Sequence, residues 1–357
     1  DDLNLRTTLS GDYQHTMRDR WQGVLSSRNG ASDASYNVEN ERGIHIASET
    51  YLTYDKTFGE HEFDAVAGIT FEQWDYEGSY SLGTGYSSDL IRTLSAATVA
   101  SEIDSWIYDE RFQSYFARIN WAYADKYLAS VSYRRDGSSV FGSDSKYGDF
   151  PAISLGWDIA EENFLKDNDF LSSFKFRVSY GFTGNKDLDT NSDIIDLYPS
   201  LPLLGPSSAT IGGAVQPAFV ALNIANPDLQ WERSQEVNPG LDFGFLKNRI
   251  TGSVDYYKRT SDQLLLFNPI SASTGFRNAL VNIGEVENSG VEVELRTRNF
   301  ANSNFGWNTT VLASRNKNEL TDFADSNGQI GLVDDKRAAE WINLEGQPIS
   351  SFYGWVV

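Results

Sequence analysis

The chain has no cysteine, which excludes disulfide staples, thiolate metal sites and cysteine nucleophiles together. Stability must come from backbone pairing and packing, and the redox compartment stays open. Basic residues are scarce: 29 Lys and Arg stand against 50 Asp and Glu, a formal charge of −21 over 357 residues. A surface of that sign repels a phosphate backbone, so no nucleic-acid partner is expected. Long apolar runs are missing too. No stretch approaches the roughly 18 residues of a membrane-crossing helix, and mean hydropathy is −0.41. Yet 40% of residues are hydrophobic and 22% charged, a balance that favours folding over disorder. Met17 is the one methionine, and Asp1 leads straight into Leu3-Asn4-Leu5-Arg6-Thr7-Thr8-Leu9 with no basic stretch or signal core before it. The far end, Ser351-Phe352-Tyr353-Gly354-Trp355-Val356-Val357, carries no polar tail, so both ends read as cuts in a longer protein.

Reactive constellations are few. The three histidines, His15, His45 and His61, stand outside any HExxH spacing, and neither a GxSxG elbow nor a phosphate loop occurs. Gly83-Thr84-Gly85 lacks the third glycine of a dinucleotide loop. Among 50 acids some pair always suits a glycosidase on paper, so without geometry no catalytic residue is assigned and no enzyme is expected. Calcium is the one cofactor candidate. Asp187, Asp189, Asn191 and Asp193 repeat oxygen ligands at every second residue. Ser192 stands where the sharp-turn glycine of an EF-hand belongs and Tyr198 where its glutamate belongs, which favours a solvated loop.

What the chain does have is a period of two. In Tyr115-Phe116-Ala117-Arg118-Ile119-Asn120-Trp121-Ala122-Tyr123, the odd positions are apolar or aromatic while Arg118 and Asn120 oppose them. The same holds for Phe174-Lys175-Phe176-Arg177-Val178-Ser179-Tyr180 and for Val291-Glu292-Val293-Glu294-Leu295-Arg296. Strands are expected near 3–10, 47–55, 62–73, 113–123, 127–135, 151–160, 174–183, 233–245, 249–259, 290–299 and 305–316. Most have the length of about ten residues that a tilted strand needs to cross a bilayer. Links alternate in length. Short ones fall at 56–61, 124–126, 161–173, 246–248 and 300–304, and long ones at 11–46, 74–112, 136–150, 184–232 and 260–289. Tight turns on one rim and long loops on the other are the habit of outer-membrane barrels. Tyr and Trp near strand ends, such as Tyr51, Tyr54, Trp74, Tyr127, Tyr133, Trp157, Tyr256, Tyr257 and Trp307, suit headgroup girdles, and equally a sandwich core. Trp74, Tyr76, Tyr80, Tyr86, Trp106 and Tyr108 share one long link and are the candidate substrate-binding residues, by stacking on sugars or packing on peptide side chains. Folding of the loop onto itself or onto a partner is the competing explanation.

Arg134-Arg135-Asp136-Gly137-Ser138-Ser139-Val140-Phe141-Gly142, then Phe150-Pro151-Ala152-Ile153-Ser154-Leu155-Gly156-Trp157, then Asn226-Pro227-Asp228-Leu229-Gln230-Trp231-Glu232 follow one another in order. Asn282-Ile283-Gly284-Glu285-Val286-Glu287-Asn288-Ser289-Gly290 and Gly346-Gln347-Pro348-Ile349 complete the series. As an ordered set these strings resemble the barrel of SusC/RagA-type TonB-dependent transporters, over roughly Tyr115 to the end. The resemblance implies an all-β, transmembrane, antiparallel up-and-down β-barrel of about 22 strands in the complete protein, plugged in its lumen. It implies a bacterial outer-membrane location, energisation through TonB, and a SusD-like surface lipoprotein as lid. Oligosaccharides or peptides would be the cargo. Residues 1–357 would then be one barrel segment with long extracellular loops, contacting lipid outside, the plug and TonB-contacting segment lying elsewhere. Arg118, Asn120, Lys175, Arg177, Thr251, Ser253, Asp255, Glu292, Glu294 and Arg296 would line the lumen or touch the plug, and the plain alternative is the wet face of any half-buried sheet. Pro239, which lacks a ladder donor, predicts a bulge or a strand start. A passive porin, an adhesive barrel and a secreted carbohydrate-binding β-sandwich are the alternative functions.

Overall fold

The computed structural model describes residues 2–23, 34–165, 168–188, 197–302, 305–323, 330–331 and 341–352. Its strands in chain order begin with β1 (Leu3–Gln22), β2 (Ser35–Phe58), β3 (His61–Thr84), β4 (Val99–Tyr123), β5 (Tyr127–Ser138), β6 (Tyr147–Asp158) and β7 (Leu171–Asn185). They continue with β8 (Leu204–Ile211), β9 (Ala214–Ala221), β10 (Glu232–Phe245), β11 (Ile250–Asp262), β12 (Leu265–Pro269), β13 (Asn278–Asn282), β14 (Glu285–Asn302) and β15 (Phe305–Asp322). Among the described residues, eleven strands form one antiparallel sheet in the order β1-β2-β3-β4-β5-β6-β7-β10-β11-β14-β15. Each strand lies beside its predecessor in that order, the meander of an up-and-down wall, and β1 and β15 are its two edges. Among the described residues, no helix is long and apolar enough to cross a membrane.

The eleven alternating segments all fall in this sheet, but several of the long links are shorter than the sequence suggests. β1 to β4 run for 20, 24, 24 and 25 residues, absorbing much of 11–46 and 74–112. β5 and β6 likewise consume the ends of 136–150. Sequence alternation fades in these extensions because both faces become polar or mixed there, although the backbone ladder continues. Inside the two remaining long links sit hairpins that carry no alternation signal, β8–β9 and β12–β13.

Pro239 behaves differently from expectation. β10 passes through it without a break, pairing Asn238 with Ser179 and Pro239 with Val178 on β7. On the other side, pairing with β11 lapses between Val237↔Lys258 and Gly240↔Asp255, and the register does not change across the gap. The proline thus omits its donor from one ladder only. The register shift of the β10–β7 pair falls instead between Gly244 and Phe245, where β7 carries the extra residue Ser172.

By contact, the chain divides into two compact units. One comprises Asp1–Arg6, Tyr51–Gly68 and Ser114–Val357; the other comprises Thr7–Thr50 and Ile69–Gln113. In the first, register fixes the faces. Tyr127↔Trp157, Ala129↔Leu155 and Val131↔Ile153 join β5 to β6, and Trp157↔Phe176, Leu155↔Val178 and Ile153↔Tyr180 join β6 to β7. These apolar side chains share one face and stay open, with Val131 at 54%, Leu155 at 51% and Ile153 at 44% exposure. The opposite face carries Ser130, Ser154, Lys175, Arg177 and Ser179. A water-soluble sheet would bury the first face and wet the second; here the apolar face is the uncovered one.

The largest fully buried side chains, Phe141, Leu229 and Pro199, lie in the links. Phe141, Leu229 and Trp231 are buried, with Trp231 ring centroids 5.2 Å from Phe141 and 5.7 Å from Phe150. Trp231 Nε1 donates to the Lys146 carbonyl at 3.1 Å, and Ser200 Oγ donates to the Val140 carbonyl at 3.3 Å. Asn282 Nδ2 donates to the carbonyls of Gln230 and Gln263, while its Oδ1 accepts from the Gln230 amide. The string Asn226 to Glu232 therefore ties together the links that follow β5, β7 and β11.

Candidate functional site

Three features of the wall bear on function, and each starts from strand alternation. On the polar face of the first unit, register places Arg177 opposite Gly240, and Gly240 opposite Asp255. Arg177 Nε lies 3.1 Å from Asp242 Oδ2, and its Nη2 lies 2.6 Å from Asp255 Oδ1, so one guanidinium bridges β7, β10 and β11. A guanidinium keeps its charge between the two carboxylates. Gly240 makes the arrangement fit. A Cβ there would sit 2.5 Å from Asp255 Oδ1 and 2.7 Å from Arg177 Cζ. Gly240→Val is expected to cost about 1–3 kcal/mol by overpacking, read as a lower urea midpoint for the folded barrel of the full-length protein; an unchanged midpoint would refute the fit.

Beside this bridge opens a cavity of about 570 Å³ whose lining includes Asp55, Glu62, Asp64, Asn120, Lys175 and Arg177. Asn120 Nδ2 donates to Asp64 Oδ1 at 2.6 Å. Asp255↔Glu292, Ser253↔Glu294 and Thr251↔Arg296 continue the same face onto β14. Arg118 lines a second cavity of about 540 Å³ with Arg134 and Asp136. The ten residues read from the sequence as lining thus lie on one polar face, in charged and hydrogen-bonded surroundings.

The second feature is the rim bearing the tight links. His61 and Trp121 stack with Trp121 Nε1 donating to His61 Nδ1 at 3.1 Å, and rings follow from Tyr123 to Tyr127 to Trp157 at 6.3 and 6.5 Å. Phe243, Phe245 and Phe170 continue the row, as do Phe300 and Trp307. Glu162, in the link after β6, accepts from Tyr127 Oη at 2.7 Å and Trp157 Nε1 at 3.1 Å, with Lys126 Nζ at 3.5 Å. The Tyr127 bond, then the Trp157 bond and Lys126, hold its carboxyl below its ordinary range. A lowered folded value means that this stabilisation is present above the ordinary Glu range of about 4.3 and fades as pH falls through the folded value. Protection of the amides across 160–165, relative to intrinsic exchange, is therefore expected to fall once pH drops below the ordinary Glu range, and Glu162→Gln to abolish that acid step; an acid step unchanged in the variant would sink the assignment.

The third feature is in the other unit. Trp74, Tyr76 and Tyr80 fall on alternate positions of one face of β3, and Trp106 and Tyr108 on β4, so the structure sets them on strands and not in a loop. Trp106 lies over Gly78, where a Cβ would be 2.3 Å away, which puts both rows on the same face. Trp74 stacks on His45 at 4.6 Å with planes 3° apart, and His45 Nε2 is 3.2 Å from Glu72 Oε2 while Nδ1 is 3.6 Å from Asp12 Oδ2. Tyr86, in the link, is buried edge-on against Trp21 at 4.8 Å. Asp187 is exposed, 3.0 Å from Lys186 Nζ; Asp189, Asn191 and Asp193 lie outside the described residues. Among the described residues no cluster of three or more His, Asp or Glu is arranged to hold a metal.

An uncovered apolar face with aromatic rows at its rim, backed by a polar face, on a meander of strands long enough to cross a bilayer, defines the wall of a membrane-spanning β-barrel. Residues 1–351 match the family described as "TonB dependent receptor-like, beta-barrel", and the chain belongs to that family. It is 31% identical over 99% of its length to TonB-dependent receptor P3 of Formosa agariphila, and 32% identical over 90% to TonB-dependent receptor SusC of Bacteroides thetaiotaomicron. It covers 35% and 31% of those proteins, so it spans about a third of the relatives it matches. Among solved structures, the RagAB peptide transporter superposes with a TM-score of 0.83 at 22% identity, over 98% of this chain and 38% of that one. The SusC/RagA-type resemblance of the sequence holds, and with it a place in the outer membrane.

Proposed function

We propose that the complete protein is a TonB-energised importer that takes up oligosaccharides or peptides through an outer-membrane barrel capped by a SusD-like lipoprotein. The chain described here supplies rigid wall and part of the outside mouth, and the plug and TonB-contacting segment belong to the rest of the protein. The observation that carries this reading is the two-faced wall: lipid-ready side chains outside, and bridged charges such as Arg177 with Asp242 and Asp255 inside. The SusC relative supports the transporter class, and the aromatic face of β3 and β4 offers Trp74, Tyr76, Tyr80, Trp106 and Tyr108 to cargo. Uptake of labelled oligosaccharide and peptide mixtures by cells carrying the full-length gene tests it. Uptake is expected to stop when TonB is deleted. Uptake that persists without TonB would make the barrel a passive porin.

A further inference from the structure

Followed away from the tight-link rim, the apolar face of the first unit ends in a consistent order of charge. On β11 it reads Ile250, Gly252, Val254 and Tyr256, and on β15 Trp307, Thr309, Val311 and Ala313, with no charge among them. The first charged side chain on this face is then a cation: Lys258 on β11 and Arg315, followed by Lys317, on β15. β5 and β10 likewise meet Arg135 and Arg233 first. On β6 and β14 the first charges are Asp149 and Glu287, and each pairs with a cation of the neighbouring strand, Arg135 Nη1 at 3.7 Å and Lys258 Nζ at 2.7 Å. With 50 acidic and 29 basic residues in the chain, composition alone would set carboxylates first on most strands.

Depth fixes where these cations sit. Trp307 in the rim row and Arg315 stand eight positions apart on β15, about 26 Å of strand at roughly 3.3 Å per residue, or about 20 Å of depth at a tilt of about 40°. The apolar band of such a barrel is about 25 Å tall, so Arg315 lies at its far edge, and tight links mark the inner side of the membrane. The cations are also gathered. Lys258↔Ser289 and Ser289↔Lys317 are cross-strand pairs, with Val291↔Arg315 in the next row. Lys258 Nζ is held by Glu287 at 2.7 Å and Lys317 Nζ by Glu319 at 2.5 Å, each carboxylate one outward position further from the rim. An ammonium has three donors, so both lysines keep donors to spare. The Arg315 guanidinium has five, and among the described residues it enters no ion pair or hydrogen bond.

We propose that Lys258, Arg315 and Lys317 bind the phosphate of a lipid headgroup in the outside leaflet. They continue the face that meets lipid, at the level where hydrocarbon gives way to headgroups, so the anion within their reach is a headgroup phosphate. Its oxygens take the guanidinium fork of Arg315 and the two ammonium point charges together. Long stems let all three heads enter the headgroup layer while their backbone stays at its edge. Glu287 and Glu319 hold the lysines in place from the far side and leave the near side, toward the apolar band, to the phosphate.

The test titrates the full-length protein, purified in detergent, with diphosphoryl lipid A and counts bound lipid by native mass spectrometry. Combining Lys258→Gln, Arg315→Gln and Lys317→Gln is expected to weaken binding about tenfold or more, while Arg296→Gln, on the polar face of β14, changes it by less than about twofold. The mobility shift between heated and unheated samples shows whether each variant folds. Arg315→Gln alone, expected to weaken binding about fivefold, serves if the triple variant does not, and Arg315→Lys is expected to restore most of that loss. Unchanged affinity in a folded variant overturns the site and leaves the barrel standing. Equal retention of fully dephosphorylated lipid A overturns phosphate as the group recognised. Displacement of the lipid by inorganic phosphate at equal concentration overturns the choice of a lipid.

Discussion

Ile153→Arg is expected to destabilise the barrel by about 2–4 kcal/mol, and Ser154→Arg, one residue along, by less than about 1 kcal/mol. Ile153 stands on the uncovered apolar face, four residues from Trp157 in the rim row, which brings it toward the middle of the hydrocarbon layer. Its neighbour Ser154 points the other way and lines the 570 Å³ cavity, where a guanidinium keeps its water. The pair differs by one position and one face, so propensity and expression effects largely cancel. Urea midpoints of the full-length protein, read by the mobility shift between heated and unheated samples, give the comparison. Equal losses at the two positions would mean that the apolar face does not meet lipid, and the barrel assignment would fall.

Trp231→Ala is expected to cost about 3–5 kcal/mol locally. The ring packs between Phe141 in the link after β5 and Phe150 on β6, and its Nε1 reaches the Lys146 carbonyl, so truncation opens a cavity and leaves that carbonyl with the Ser138 amide as its remaining donor. Because the loss falls mainly on the links and not on the sheet ladder, it is expected as local opening: about a hundredfold or more faster amide exchange across 139–146 and 197–231, with the eleven strands of the large sheet unchanged. Trp231→Phe keeps the stack and surrenders only the hydrogen bond, for about 1 kcal/mol. Global unfolding in the alanine variant, or no change in exchange, would refute a loss confined to this core.

These two sites mark the boundary of what the sequence makes legible. Ile153, Leu155 and Trp157 announce themselves because lipid on one side and water on the other force a period of two. All eleven sheet strands are visible for that reason. The upper parts of β1 to β4 are not, since outside the hydrocarbon no solvent difference enforces alternation, and Trp74, Tyr76, Tyr80, Trp106 and Tyr108 were therefore expected in a loop. Ladder hydrogen bonds leave no mark on composition. The hairpin β8–β9 had a readable turn in Gly212-Gly213 flanked by two segments of strand length, a signal masked by the absence of charge alternation. The core around Trp231 could not be read, because its members come from links far apart in the chain and meet only after the meander has formed. Pro239 shows the converse: a residue type with a strong rule, whose effect depended on which side its missing donor faced.

The lengths of β2 and β3 carry a consequence for proteolysis. Counted from the turn at Gly59 and Glu60, each runs 24 residues, or about 80 Å of contour at roughly 3.3 Å per residue, and a bilayer occupies about half of that. The remainder is hydrogen-bonded ribbon beyond the length that the hydrocarbon layer requires. Proteases need slack backbone to thread into their clefts, so trypsin is expected to spare this paired ribbon in the folded protein. Antibodies raised against it would recognise a folded shape and fail on the denatured chain.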